Sequence, residues 1–305
     1  MKRLVGLVAI LTGTAVLSAC EPSGTVYGSL INDGTTQRVI QFNVQGTLSS
    51  FDNVNGDTVS SIVGSLNNRN PKPFAVSFNE ICWTQWFQLW NQYFGVNGYV
   101  AEAQWAAIAP SFDGRPASDV GQIIPGSNPV RRYSRLTSNC SAFGNVTAII
   151  GSSANRQVRY FNDQNSSNIT DNKNENKGAV CVQTNVYSAV SCSTHTSAAS
   201  IGTAKTQSYE YSVFVNQWTN AGVGMFVMGD FNLKPPDDPY FNSWWYAVFA
   251  EADEKSGRPR TSKGGTNDSG SPIDYIFRRY PNSYSIQPYI YQSAYSDHHW
   301  YEAYL

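Results

Sequence analysis

Charged side chains are scarce in this sequence. Lysine, arginine, aspartate and glutamate make up 14% of the 305 residues, and the formal net charge is −1 with a pI near 6.3. The chain therefore lacks the overall basic field with which many nucleic-acid-binding proteins attract phosphate. A local basic patch remains compatible with these numbers, so composition excludes only the strongly basic class of nucleic-acid-binding protein.

A long apolar run is missing as well. The N-terminal run at Leu4–Leu17 is shorter than the about 20 residues that a membrane-spanning helix needs. Because it follows Met1-Lys2-Arg3, it predicts an export signal. Its end, Leu17-Ser18-Ala19-Cys20, resembles the bacterial lipobox. We therefore expect residues 1–19 to be a lipoprotein signal peptide and Cys20 to carry a lipid that anchors the protein to a membrane, facing the periplasm or the cell exterior. An ordinary cleaved signal is the alternative.

Cysteine is also rare, with five in the chain. Without Cys20, an even set remains in a chain directed to an oxidising compartment, which predicts two disulfides: Cys82, Cys140, Cys181 and Cys192. Four cysteines permit three connectivities, and the sequence does not choose among them. The first pairing to test joins Cys181 to Cys192, because both lie on β-rich runs that could form a tight hairpin, and leaves Cys82 with Cys140. The absence of any Cys-x-x-Cys pair disfavours a zinc site.

The rest of the chain predicts one domain. Residues 20–36 are small and polar and indicate a flexible tether, and residues 37–305 show neither an internal repeat nor a second composition. Apolar runs predict strands at 39–44, 73–78, 146–150, 179–186, 189–194, 224–228, 273–277 and 300–305. Helices are predicted at 58–66, from Trp83 onward with a loop before Trp105, around Tyr209, Val213 and Trp218, and at 243–252; residues 156–177 predict a surface loop. A single α/β domain with two stacked sheets is the simplest arrangement of these elements.

Chemically active side chains follow these strands. Asn43, Glu80 and His195 each come at or after the end of a predicted strand, as do Asp230 and Asn232. Loops at one edge of a sheet are where functional sites are commonly built. Carboxylates and amide oxygens are ligands that a hard divalent cation such as Mg²⁺ accepts, so the sequence predicts a magnesium site at this edge.

The order of these segments resembles the endonuclease/exonuclease/phosphatase superfamily, typified by deoxyribonuclease I. The matching segments are Asn43-Val44-Gln45-Gly46, Asn79-Glu80, Thr194-His195-Thr196, Gly229-Asp230-Phe231-Asn232, Ile273-Asp274-Tyr275-Ile276 and Ser296-Asp297-His298. The resemblance extends from Gln41 to the C-terminus. It implies an α/β (α+β) fold, a four-layer sandwich of two stacked mixed β-sheets flanked by helices, and a metal-dependent phosphoric ester hydrolase.

The resemblance also implies a metal site. Glu80, helped by Asn43 and Asp297, would hold Mg²⁺, with Mn²⁺ or Ca²⁺ as alternatives. The ion would neutralise phosphate charge and stabilise the leaving oxyanion.

Acid–base and orienting roles are implied for five further residues. Asp230 and Asn232 would orient the attacking water and the phosphate. His298 would act either as the base or as a phosphate-contacting imidazolium, and Asp274 would fix its tautomer. His195 would donate to a phosphoryl oxygen or to the departing group.

Two departures from the family pattern stand out. Members similar to deoxyribonuclease usually have a carboxylate before the middle strand that supports the first histidine, but residues 135–151 contain no Asp or Glu, so the partner of His195 is unidentified. The phosphate-binding arginine expected before the strand at Ala179 is replaced by Lys177, which supplies charge but not a bidentate fork.

Four other conspicuous side chains receive structural interpretations. His299 follows His298 and is interpreted as structural or as a substrate-edge contact. Trp83, Trp86 and Trp90 are interpreted as core residues and not as a base-stacking platform, because burial is the commoner use of aromatic side chains.

The substrate is less well defined than the chemistry. The segments Asn43–Gly46 and Gly229–Pro235 resemble the nuclease and toxin branch of the superfamily. A phosphate-tracking patch is predicted from Arg131, Arg132, Arg135, Lys173 and Lys177. We therefore expect a monomeric endonuclease that hydrolyses DNA, with RNA as a further substrate.

Two alternatives remain open. The neutral net charge and the aromatic-rich, exported chain would also suit a phosphodiesterase or phosphatase for a lipid or small phosphorylated molecule, similar to a sphingomyelinase. A catalytically inactive surface binding lipoprotein is the third hypothesis. It is disfavoured because a decayed enzyme should have lost ligands, whereas both histidines and all the acids are present.

Overall fold

The computed structural model describes residues 37–45, 57–107, 142–162, 177–185, 189–220, 223–234, 244–255, 264–279 and 287–304. Several predicted features lie outside these ranges and stay predictions: the signal peptide, the tether, Cys20, Cys140, Arg131, Arg132, Arg135 and Lys173. Within the ranges, no helix combines the length and the apolar character that crossing a membrane requires.

Six strands form the first sheet. They are β1 (Arg38–Asn43), β2 (Ala75–Cys82), β3 (Tyr99–Ala107), β4 (Ala142–Ile150), β11 (Gln287–Tyr291) and β12 (Trp300–Tyr304). Their order is β11-β12-β1-β2-β4-β3, and only the β1–β2 pair is parallel.

Six further strands form the second sheet. They are β5 (Ser153–Tyr160), β6 (Gly178–Thr184), β7 (Ala189–His195), β8 (Gly224–Asp230), β9 (Ala250–Glu251) and β10 (Asp274–Arg279). Their order is β5-β6-β7-β8-β10-β9, and only β7 and β8 run parallel. Each sheet is therefore mixed, which confirms the predicted architecture.

Helices cover the two outer faces. Two of them, α1 (Asp57–Asn67) and α2 (Trp83–Leu89), pack on the first sheet, and α2 continues as a π-helical turn (Trp90–Phe94) and a 3₁₀ turn (Gly95–Asn97). The long helix α3 (Ile201–Asn220) packs on the second sheet, and α4 (Tyr246–Val248) and α5 (Ala252–Lys255) are single turns. The result is the expected four-layer sandwich. Trp83 and Trp86 are buried in the core, and Trp90 packs against it, which confirms their interpretation as core residues.

Three of the predicted elements are wrong. The loop expected before Trp105 is strand β3, whose alternation (Ala101, Ala103 and Trp105 toward the helices) was obscured in the sequence by the preceding aromatic residues. The loop expected at 156–177 begins as strand β5, which is polar and half-exposed and so gives no apolar signal. The helix expected at 243–252 shrinks to α4 followed by β9, because Phe249 is extended and Ala250–Glu251 pair with β10.

The space between the sheets changes character along the strands. At one end it is apolar, with Val39, Phe226 and Met228 in a shared cluster. At the other end it is hydrogen-bonded: Ser77 donates to Ser193 over 2.7 Å.

Asn79 is the centre of this polar end. Its oxygen accepts from Gln41 Nε2 (2.6 Å) and from the Asp230 amide (2.9 Å). Its nitrogen donates to Asn145 Oδ1 (2.9 Å), Ser193 Oγ (3.2 Å) and Thr194 O (2.8 Å). One amide thus joins the two sheets at the ends of β1, β7 and β8.

Glu102 on β3 should make the stability of the protein fall with rising pH. Burial raises the pKa of this 3% exposed side chain from 4.5 to about 7, against the opposing hydrogen bond from the Ala103 amide. Between these two pH values the folded chain retains a proton that the unfolded chain has lost, so the free energy of unfolding decreases as pH rises through this window. Glu102→Gln should therefore be more stable than the parent by about 1–3 kcal/mol at pH 8 and little different at pH 4.5.

Urea unfolding between these two pH values measures this difference. Asp57→Asn, at an exposed carboxylate, serves as the control and should follow the parent. If the free energies of unfolding of the parent and Glu102→Gln changed with pH in the same way, Glu102 would not be the group responsible.

Candidate active site

The strand ends of both sheets converge at one edge. In the second sheet, Asp230 lies directly opposite His195 on one side and Asp274 on the other. In the first sheet, Asn43 lies opposite Asn79. The sheet register therefore brings these predicted site residues together.

Glu80 reaches the edge by a bulge and not by a strand end. Strand β2 continues through Glu80 to Cys82, which corrects the prediction that the strand ends before it. The pairing with β4 shifts between Phe78 and Ile81, and Glu80 has a left-handed φ of 50°. Bulges re-aim side chains, and this one leaves Asn79 in the inter-sheet space while Glu80 faces the site.

Backbone strain is concentrated at this edge. Among the described residues, the non-glycine residues with positive φ are Gln45 (54°), Glu80 (50°) and Asn232 (49°). Strained conformations are retained where the surrounding structure enforces them, and they cluster at functional sites. Gly229 is constrained differently, since a Cβ there would lie 2.2 Å from the Thr194 carbonyl oxygen.

Asp274 and His298 form a tight pair. The distance from His298 Nδ1 to Asp274 Oδ2 is 2.8 Å, and Asp274 is fully buried. Gln41 Nε2 donates to the other Asp274 oxygen over 3.2 Å. Because the carboxylate accepts, His298 Nδ1 carries hydrogen and Nε2 points away from Asp274. Burial opposes the charged imidazole, but the negative charges of Asp274, Asp230 and Asp297 together raise the pKa of His298 to about 10.

Asp230 lies between the two histidines. Its Oδ2 atom is 3.6 Å from His298 Nε2 and 3.8 Å from His195 Nε2. Asn43 Nδ2 donates to Oδ2 (3.0 Å), and the Asn232 amide donates to Oδ1 (2.9 Å). Burial first, and then the charge of Asp274, raise the pKa of Asp230 to about 7, while His298 acts in the opposite direction.

His195 has a partner of unexpected type. Lys177 Nζ lies 3.2 Å from His195 Nδ1, and both side chains are buried. An ammonium group can only donate, so Nδ1 must accept and the hydrogen of neutral His195 must be on Nε2. Burial first, and then the charges of Lys177 and His298, lower the pKa of His195. Its Nε2–H group is 3.6 Å from Glu80 Oε1, so His195 is a neutral donor directed into the site.

Lys177 precedes β6 and His195 ends β7, and a disulfide fixes this hairpin covalently. Cys181 on β6 and Cys192 on β7 are directly opposed and form a disulfide, as predicted. Cys82 is disulfide-bonded too, and its predicted partner Cys140 lies outside the described ranges.

Carboxylate oxygens are available for a cation. Oδ1 of Asp297 is buried, lies 3.8 Å from His298 Nε2 and makes no hydrogen bond within the described residues. Glu80 presents Oε1 beside His195. Asp230, Asp274 and His298 also offer ligand atoms within 4.8 Å of one another, so they form a second group that could hold a metal ion. The donor set of hard, negatively charged oxygens fits Mg²⁺.

Asn43 lies beside the carboxylates of Asp230 and Glu80. Its Oδ1 atom accepts from the Gln45 amide over 3.0 Å, so the amide nitrogen faces Asp230 and, at 3.4 Å, Glu80. In this arrangement the amide nitrogen of Asn43 orients the carboxylates of Asp230 and Glu80.

The remaining segments are tied to the same edge. Ser296 Oγ donates to the Asn43 carbonyl (2.7 Å) and accepts from the His298 amide (3.0 Å), which holds the Ser296–His298 segment against β1. Asn232 Nδ2 donates to the Thr196 carbonyl over 3.0 Å. His299 pairs with the exposed Asp268 at 3.0 Å, outside this cluster.

No protein-family profile and no curated protein matches the sequence. Solved structures do match. Truncated TDP2 from Caenorhabditis elegans has a TM-score of 0.60 at 12% identity, over 89% of this chain and 97% of that one. An endonuclease/exonuclease/phosphatase from Beutenbergia cavernae has a TM-score of 0.53 at 16% identity, over 88% and 72% of the two chains. The chain has the endonuclease/exonuclease/phosphatase fold.

A third structure of this fold holds a ligand. TDP2 from D. rerio, complexed with a single-strand DNA product, has a TM-score of 0.55 at 13% identity, over 88% of this chain and 98% of that chain. At such identities the likeness establishes the fold, and the chemistry must be argued from the side chains of this chain.

Sequence reasoning did not find several residues that shape the site. Gln41, Gln45 and Ser296 are not among the predicted site residues, although Gln41 and Asn43 lie two apart on a strand and so share a face. The contact between Lys177 and His195 joins neighbouring strands, and no local pattern in the sequence indicates it.

Proposed function

We propose that the protein is an exported, magnesium-dependent phosphodiesterase that hydrolyses DNA by attack of a water molecule on phosphorus. The observation that supports this proposal is the position of Asp230, a buried carboxylate within 4 Å of both histidines, at an edge that also carries Glu80 and Asp297. Export and lipid anchoring rest on the N-terminal sequence.

The two histidines supply different kinds of donor. His298 is held by Asp274 and is protonated at neutral pH, so its Nε2–H can pair with a negative phosphate oxygen. His195 is neutral, and its Nε2–H can donate to a second oxygen or to the departing group. Fixed donors directed at developing charge are commonly the largest contribution to catalysis.

Asp230 is suited to accept the proton of the attacking water. A general base works best when its pKa is near the working pH, and the pKa of Asp230 is raised to about 7. Asn43 and Asn232 fix its two oxygens, so the carboxylate keeps one orientation. A Mg²⁺ ion held by Glu80 and Asp297 would neutralise phosphate charge and stabilise the leaving oxyanion.

DNA is favoured as the substrate by the sequence segments of the nuclease branch. The complex of D. rerio TDP2 with a single-strand DNA product shows that a protein of this fold binds DNA. Incubating the protein with supercoiled plasmid, RNA, sphingomyelin and a generic diester tests this choice. We expect plasmid nicking; turnover of the lipid alone would overturn the nuclease assignment.

Removal of the metal should abolish the activity. A chelator should stop nicking and excess Mg²⁺ should restore it. Glu80→Gln should raise the Mg²⁺ concentration for half-maximal rate by about tenfold or more, because a charged ligand is lost. Glu210→Gln, at a glutamate on α3 that accepts from the Asn162 amide, is the matched control. Nicking that survives the chelator, but disappears in His195→Ala, would contradict the metal requirement.

A further inference from the structure

A cavity of about 590 Å³ lies on the outer face of the first sheet, between α1 and the β11–β12 edge. We call it the arginine–tyrosine cavity, after Arg38, Arg69, Tyr291 and Tyr304 in its wall. Arg38 begins β1 and Asn43 ends it, so the catalytic edge is roughly 16 Å further along this strand. The two side chains also point to opposite faces of the sheet.

Positive charge is in excess in the wall of the cavity. Glu302 pairs with Arg38 Nε at 2.8 Å and with Arg69 Nε at 2.7 Å, so two guanidinium groups share one carboxylate. The three side chains are only 6%, 15% and 2% exposed. Nη1 of Arg38 is buried and makes no hydrogen bond within the described ranges. A buried, incompletely neutralised cation is unfavourable, and an anion in the cavity would compensate it.

Aromatic faces lie next to these cations. Tyr289 and Tyr291 point to the same face of the edge strand β11, with ring planes 11° apart and centroids separated by 6.1 Å. They are 41% and 44% exposed, which is unusual for two adjacent large rings. The Arg69 guanidinium carbon lies 5.9 Å from the Tyr291 ring and 5.1 Å from the Trp300 ring. Exposed rings beside arginines are what single-stranded nucleic-acid sites use to stack bases and hold phosphates.

We infer that the arginine–tyrosine cavity binds a nucleotide unit. The phosphate contacts Arg69, the charge of the buried Arg38 adds to the attraction from behind, and the base stacks on Tyr291. The cavity is within the size range of small-molecule sites, and Ser61 and Ser65 of α1, with Asn68 just after it, provide neutral hydrogen-bonding groups in its lining. This inference goes beyond the proposed hydrolysis, because the cavity contains no residue of the catalytic edge and needs no metal.

Calorimetric titration of the whole protein in chelator tests the inference. The probes are inorganic phosphate, adenosine, AMP and a short single-stranded oligonucleotide. AMP should bind at least about tenfold more tightly than phosphate or adenosine, because only AMP contacts both Arg69 and Tyr291. Equal affinity for AMP and the oligonucleotide would show that a single free nucleotide is sufficient for binding. Tighter binding of the oligonucleotide would assign a nucleotide within a strand.

Variants locate the binding. Arg69→Gln and Tyr291→Ala should each weaken AMP binding by about tenfold. Arg159→Gln on β5 and Tyr209→Ala on α3 change the same residue types elsewhere and should leave it unchanged. His298→Ala should also leave it unchanged, which distinguishes this cavity from the catalytic edge.

Two results would overturn the inference: no binding of any probe at millimolar concentration, or binding that is insensitive to both Arg69→Gln and Tyr291→Ala. Arg69 also joins α1 to β12, so its variant needs a thermal unfolding control. If Arg69→Gln unfolds, Tyr291→Ala provides the test, because Tyr291 is exposed. If the protein proved not to hydrolyse DNA, the expected results of these titrations would be unchanged.

Discussion

Replacing Asp230 with asparagine should lower kcat by about 10³-fold without unfolding the protein. The amide is close in shape to the carboxylate and retains an acceptor for the Asn232 amide, which donates over 2.9 Å. It removes the group that accepts the proton of water and the negative charge between His195 and His298. Steady-state rates on a diester substrate at saturating Mg²⁺ measure the effect.

The pH–rate profile adds a second test of Asp230. Because burial and the charge of Asp274 raise its pKa to about 7, loss of its proton should produce the acidic limb of the profile. Added Mg²⁺ should move that limb to lower pH, since a nearby cation favours the carboxylate. Asp268→Asn, at the exposed partner of His299, should show the parent profile. A kcat for Asp230→Asn within tenfold of the parent would exclude Asp230 as the base.

Lys177→Met should lower kcat by about 10²-fold, although Lys177 contacts no reacting atom in this proposal. Without the ammonium group, His195 loses the donor to Nδ1 that keeps its hydrogen on Nε2. Positioning of His195 is thus a role of Lys177 in addition to its predicted contact with phosphate. Lys177→Arg, which retains a cationic donor, should recover part of the rate.

Nitrogen chemical shifts of the His195 ring distinguish positioning from a general structural effect. The parent protein should show the Nε2–H tautomer, and Lys177→Met should shift the population toward Nδ1–H. Lys205→Met on α3 is the control and should change neither the shifts nor kcat. An Nδ1–H tautomer in the parent would show that Lys177 does not set the state of His195.

The sequence predicted most reliably those features that local pattern determines. Apolar runs located the strands, and the residues at their ends (His195 and Asp230, which end β7 and β8, and Asp274, which begins β10) proved to be opposite one another in the second sheet. The edge strands β5 and β11 were not predicted, because half-exposed strands carry little apolar signal. The periodic residues of α3 identified the helix but not its buried face: Tyr209 and Val213 are 46% and 45% exposed.

Orientation and long-range pairing could not be predicted. The orientation of the Asn43 side chain depends on the hydrogen bond from the Gln45 amide. Gln45 has a left-handed φ of 54°, which no propensity scale predicts. Glu80 was placed at a strand end, but it reaches the site through a bulge defined by the partner strand. The identity of the His195 partner depends on strand register, which local spacing does not specify.

The five hydrogen bonds of Asn79 affect how the molecule can move. Apolar contact resists separation of two layers but opposes sliding only weakly, because it has no direction, whereas hydrogen bonds fail when their partners are displaced sideways. Thermal shear between the layers should therefore be smallest around Asn79 and larger toward the apolar end, where the Tyr301 hydroxyl donates to Glu251 of the other sheet over 2.6 Å. The protein would then be most rigid where a phosphorus atom must be held in line, and flexibility would be confined to the opposite margin.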